Sequence, residues 1–96
     1  MAVAVIMQGG TREEYDRVAE RVNAMGVPEG AIVHTARETP DGIRIFDVWE
    51  SREAFERFME ERIGPIGEEL GIEMTGPPPE IHELFSVIVG EEVRVS

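Results

Sequence analysis

The chain has 96 residues, 42% of them apolar, with 20 acidic against 9 basic side chains and no cysteine. Length and apolar content fit one domain, because half a chain of this size could not bury a useful core. A formal charge of -11 disfavours nucleic acid and anionic membrane as partners, since no basic stripe is available to neutralise phosphates, and the lack of cysteine excludes disulfides, thiolate nucleophiles and Cys-ligated metals.

Met1 to Met7 is apolar, but it has no basic flank and is too short for a signal peptide or membrane span. Residues 2–8 therefore read as a first strand ending at Gly9-Gly10, and a cytoplasmic location is expected. Thr11 followed three residues later by Glu14 is a reciprocal helix cap. Tyr15, Val18, Ala19, Val22 and Met25 then recur at spacings of three and four, which predicts one apolar stripe along a first helix that stops at Gly26.

Residues 31–38 and 43–50 are two β-type runs around Thr39-Pro40-Asp41-Gly42, with Asp41-Gly42 read as a two-residue hairpin turn. Ser51 is a helix cap, and Ala54, Phe55, Phe58, Met59, Ile63, Ile66 and Leu70 continue at helical spacing. Gly64-Pro65 predicts a kink or two short helices, because proline has no amide proton and disfavours helix before it. Residues 71–79 form a connection with an extended Pro77-Pro78-Pro79, and Ile81 to Val89 a fourth strand. The expected domain is 1–89, with 90–96 a polar tail that is loose or adds a short strand through Val93 and Val95.

The order β-α-β-β-α-β predicts an α+β fold, a ferredoxin-like sandwich with two helices on one face of an antiparallel sheet. The second sheet face must meet water or a partner, and it reads as too apolar to be left in water.

With Asp41-Gly42 as the turn, Pro40 lies opposite Ile43, Glu38 opposite Ile45, Ala36 opposite Asp47 and His34 opposite Trp49. His34, Asp47 and Trp49 then share one face. Val33, Thr35, Phe46 and Val48 share the other, the better set to pack under helices. A three-residue loop with a bulge would shift this pairing by one. His34 and Asp47 become diagonal neighbours in which the carboxylate orients the imidazole as a base, suited to proton abstraction from an acidic phenol or enol.

Each candidate also has a plainer reading. His34 fits a sheet histidine at a dimer face, and Asp47 fits an ion pair with Arg37 or Arg44 across the hairpin. Trp49 is a wall for an aromatic ligand or a core anchor at the strand-to-helix corner. Tyr15 is a core residue of the first helix or a hydroxyl reaching a pocket between helix and sheet. His82 on the fourth strand lines the same interior or faces solvent. Two histidines without metal-ligand spacing predict no metal, and neither a P-loop nor a G-x-G-x-x-G fingerprint is present.

The apolar strand leading into Trp49-Glu50-Ser51-Arg52-Glu53-Ala54-Phe55-Glu56-Arg57-Phe58, a W-x-S-x-x-x-F-x-x-F pattern, resembles the dimeric α/β-barrel superfamily that includes the antibiotic-biosynthesis monooxygenases. The resemblance implies a homodimer in which two sheets meet to form a barrel, and a small-molecule pocket in each protomer. It also implies no cofactor: the haem-degrading branch carries Trp and His on its second helix, where this chain has Phe58 and an acidic stretch near Glu68. The expected function is binding of a small aromatic or polyketide-like molecule, with cofactor-free monooxygenation as the activity. In that activity His34 is the base, Asp47 orients it, and Trp49, Tyr15 and His82 contact the substrate. The alternative left open is a non-catalytic homodimer with a packed barrel interior.

Overall fold

In a computed structural model that describes residues 1–74 and 76–90, the chain forms β1 (Val3–Gln8), α1 (Arg12–Ala24), β2 (Ala31–Thr39), β3 (Gly42–Trp49), α2 (Arg52–Phe58), α3 (Gly64–Leu70) and β4 (Glu80–Glu83), with a π-helical turn, Met59–Ile63, joining α2 to α3. The strands make one antiparallel sheet in the order β2-β3-β1-β4. This is the split β-α-β arrangement that the element order predicts.

Local chemistry sets most boundaries. Thr11 Oγ1 accepts from the Glu14 amide at 3.1 Å while Glu14 Oε1 accepts from the Thr11 amide at 3.0 Å, which completes the predicted capping box of α1. Ser51 caps α2 by accepting from the Ala54 amide at 3.1 Å. The interruption expected at Gly64-Pro65 is the π-helical turn. Pro65 has no N–H to continue the helical ladder, so the chain widens by one residue before it and the Gly64 amide donates to the Met59 carbonyl. The helix resumes and ends at Gly71, whose φ of 68° closes it.

The hairpin differs from the sequence reading by one loop position. Thr39 pairs with Gly42, so the turn is Pro40-Asp41, and His34 lies directly opposite Asp47. Gly42 sits in the strand because its φ is 115° and because a Cβ there would stand 2.8 Å from the Gly10 carbonyl oxygen. The β1–α1 loop is pinned at that point by the Gly9 amide donating to the Ile43 carbonyl at 3.0 Å and the Ile43 amide donating to Gly10 at 3.3 Å. At the other end of the hairpin a bulge at Ile32 lets Ala31 pair with Trp49 and Val33 with Val48. The extra residue turns Ala31 to the helix side of the sheet.

Which face carries the helices is the reverse of the expectation. β1 decides it: Val3, Val5 and Met7 pair with Trp49, Asp47 and Ile45, and this side packs with Ala54, Phe55, Phe58 and Met59 into the core. Val33, Thr35, Phe46 and Val48 instead occupy the open face with Ala4 and Ile6. The fourth strand is also shorter than expected. Its last residue, Glu83, pairs with Val3, where β1 begins, so a longer β4 would have no strand beside it. Residues 84–90 lie outside the sheet, and the expected tail strand through Val93 and Val95 lies outside the described residues.

Candidate active site

β3 supplies two adjacent helix-facing side chains, Asp47 and Trp49, and β2 brings His34 opposite the first of them. Asp47 is 2% exposed and is the one buried charged residue among those described. A carboxylate at that depth requires partners, and it has two. The His34 Nδ1 lies 2.7 Å from Oδ1, and the Trp49 indole N–H donates to Oδ2 at 3.2 Å. The arginines considered across the hairpin are not among them; Arg44 donates to Gln8 Oε1 at 3.0 Å.

The network extends to α1, where the Tyr15 hydroxyl lies 2.6 Å from His34 Nε2. The two rings are almost coplanar, at 4° with centroids 6.0 Å apart, the geometry of an end-on hydrogen bond rather than a face-to-face stack. Proton positions follow from what each atom can do. A carboxylate only accepts, so Nδ1 carries the proton; in neutral imidazole Nε2 is then bare, and the Tyr15 O–H donates to it. The chain of donors runs Tyr15 to His34 to Asp47, with Trp49 holding the second carboxylate oxygen. Burial, then the nearby charges of Asp47 and Asp16, push the Tyr15 phenol above its usual value of 10, while Arg12 opposes them. Tyr15 is therefore a neutral phenol at physiological pH.

These groups stand at the wall of a cavity of about 840 Å3 between α1 and the sheet. It exists because α1 does not close on the sheet. No residue of α1 is buried, and the stripe of Tyr15, Val18, Ala19 and Val22 borders the cavity instead of entering a core. The opposite wall is Met7, Ile45 and Trp49, and Phe58, Met59 and Ile63 close one side. A volume of this size with a few convergent polar groups suits a small, largely apolar ligand. The π-helical turn contributes Met59 and Ile63 to the wall, consistent with such turns being common at functional sites.

The sequence-predicted residues thus divide. His34, Asp47, Trp49 and Tyr15 come together. His82 does not: it pairs with Ala4 on β4, which puts it on the open face of the sheet, 60% exposed and 3.8 Å from Glu80. Trp49 is 2% exposed, packed against Phe55 and Phe58 at centroid distances of 5.8 and 5.0 Å. It is a core anchor that also orients Asp47, rather than a free stacking face. Sequence reasoning does not assign Met7, Met59 or Pro77–Pro79 to this wall, because nothing local marks them; their positions depend on how far α1 stands from the sheet. Among the described residues no cluster of His, Asp and Glu has the arrangement of a metal site, and no helix is long and apolar enough to cross a membrane.

No protein-family profile matches the chain, and no curated protein matches it either. Solved structures do. Rv0793 from Mycobacterium tuberculosis is 14% identical with a TM-score of 0.64, over 93% of this chain and 100% of that one. A candidate antibiotic biosynthesis monooxygenase from Chloroflexus aurantiacus is 16% identical with a TM-score of 0.57, over 96% and 97%. A variant of SnoaB, a cofactor-independent oxygenase from Streptomyces nogalater, is 17% identical with a TM-score of 0.51, over 91% and 93%. The fold of this chain is that of the antibiotic-biosynthesis-monooxygenase-like proteins, and at these identities the likeness is one of fold.

Proposed function

We propose that this protein is a cofactor-free monooxygenase acting on a small aromatic or polyketide-like phenol, with His34 as general base and Asp47 as the group that fixes its tautomer and orientation. The observation that carries the reading is the Asp47–His34 hydrogen bond of 2.7 Å, made by a buried carboxylate, at the wall of a cavity large enough for a polycyclic ligand. Removing the phenolic proton makes the ring electron-rich enough to react with dioxygen. One oxygen atom then enters the ring as a new carbonyl, and the other leaves as water with two hydrogens of the substrate. The fold likeness to a cofactor-independent oxygenase supports the same class. The alternative, a non-catalytic homodimer with a packed barrel interior, concerns the open sheet face, whereas the cavity that supports the catalytic reading lies on the helix side.

The proposal includes a homodimer joined through the open sheet face. That face exposes Val33 (36%) and Phe46 (46%), and the segment after β4 exposes Phe85 and Ile88 almost completely. Large apolar side chains left exposed on a sheet face support an interaction surface there.

Oxygen uptake on a panel of naphthols and quinols, with His34→Ala beside the native chain, tests the catalytic assignment. A base that contributes in the usual range predicts a loss of roughly 10²–10⁴-fold in turnover. His34 is half exposed, so water is expected to take its place beside Asp47, and a native circular dichroism spectrum of the variant separates loss of the base from loss of the fold. Uptake that survives the substitution would sink the assignment.

A further inference from the structure

Neither nitrogen of the proposed base is free. Nδ1 is held by Asp47 at 2.7 Å and Nε2 by Tyr15 at 2.6 Å, and both oxygens of Asp47 are engaged, one by His34 and the other by Trp49. One group in the network keeps hydrogen-bonding capacity that borders the cavity. The Tyr15 hydroxyl uses its proton on His34, and its oxygen lone pairs have no donor among the described residues.

We infer that Tyr15 is the residue that meets the substrate hydroxyl: it accepts the substrate proton as it passes its own to His34. This rests on the reading of His34 as the base and adds the route by which the proton reaches it. In the step, the substrate O–H and the Tyr15 O–H break, while a new Tyr15 O–H and the His34 Nε2–H form. Two bonds are lost and two are made, no electrons are exchanged, and the products are a substrate oxyanion, a neutral phenol and an imidazolium beside the Asp47 carboxylate.

The surroundings suit that traffic. A phenol held neutral by burial and by neighbouring carboxylates can accept and donate at once, whereas a phenolate could only accept. The far end of the relay is open, since the His34 side chain is 51% exposed while that of Asp47 is 3% exposed. The imidazolium that forms therefore borders solvent along its ring, while its two N–H groups stay on Asp47 and Tyr15. Two hydrogen bonds, from His34 and Trp49, hold the Asp47 carboxylate in place.

A bound reporter tests the route independently of oxygen chemistry. 2-Naphthol absorbs differently as phenol and phenolate, so its ionisation midpoint can be read on the native protein and on variants. Binding to the native protein is expected to lower that midpoint by about one pH unit, and His34→Ala to abolish the shift. Tyr15→Phe, which keeps the ring and its packing, is expected to abolish it as well, with naphthol still bound but more weakly by the one hydrogen bond lost. Because Tyr15 is the single tyrosine, growth on 3-fluorotyrosine places a more acidic phenol at this one position. A relay then moves the midpoint, and a bystander does not. A Tyr15→Phe protein that shifts the reporter as the native one does, while His34→Ala does not, overturns the relay and leaves His34 as a direct base. A midpoint indifferent to both substitutions, or unmoved by the native protein, overturns the relay and the base together.

Discussion

Asp47 sits among Val5, Trp49 and the core aromatics with both carboxylate oxygens occupied, and this sets how the other polar groups behave. Removing a partner from a buried carboxylate is costly, so Trp49 and His34 are held in one geometry, and Tyr15 is aligned through His34. The pH dependence belongs to Tyr15. Its phenol titrates above 10 in the folded chain and near that value when unfolded, so the folded state keeps a proton that the unfolded chain gives up. The sign follows: this contribution is intact below pH about 10 and is lost as pH rises further. With a single tyrosine, ultraviolet titration of the native protein is expected to give one midpoint above 10; a midpoint at or below 10 while the circular dichroism remains native would contradict the buried, His34-bonded phenol. At this scale the sequence was informative. The parity of β2 and β3 puts His34, Asp47 and Trp49 together, and the one-position error in the turn moved each partner by two residues without changing any face. Tyr15 was visible as a stripe residue, but its bond to His34 spans 19 positions and has no local signature.

Among the elements, α1 is the unusual one. It carries the predicted apolar stripe yet buries no residue. Polar straps at both ends hold it: Arg12 to Glu38 at 3.3 Å, Arg21 to Glu69 at 2.7 Å, and Arg62 donating to the Gly26 carbonyl at 2.7 Å. Exposed pairs of this kind contribute little each, so most of the stability comes from the sheet packed on α2. The seam between them passes through Gly30, whose φ is 88° and where a Cβ would come 2.6 Å from the Ala54 Cβ. The Gly30 carbonyl also accepts from the Glu50 amide at 2.8 Å, fixing the start of β2 beside the end of β3. Gly30→Ala is expected to cost about 1–3 kcal/mol, read as a lower urea midpoint with an unchanged slope; an unchanged midpoint would mean that the seam is looser than these distances require. Element order, both helix caps and the break near Pro65 were legible because caps and prolines act locally. The turn was not, since Gly42 is dictated by the approach of the β1–α1 loop, a contact between distant segments. The orientation of the sheet was missed for a similar reason: β2 and β3 alone suggest the wrong apolar face, and only the pairing of β1 settles it.

For the whole molecule, the open sheet face and a charge of -11 act against each other. Apolar burial favours association of two copies, while like charge opposes it and is screened at physiological salt, where the Debye length is about 8 Å. Light scattering at micromolar concentration in such salt is expected to give the mass of two chains, and a clean monomer would refute the interface. Composition and the apolar second face made that expectation readable from sequence. A pocket was expected from the family resemblance and not from the residues themselves, because the cavity is a gap between elements, and no residue type encodes a distance that two elements fail to close. That gap has a further consequence. The valines, alanine and tyrosine along α1 were set apart by helical spacing to be taken out of water, yet the fold stops short of doing so. An apolar guest entering there would complete a desolvation that the chain began, so folding and recognition draw on one and the same hydrophobic surface.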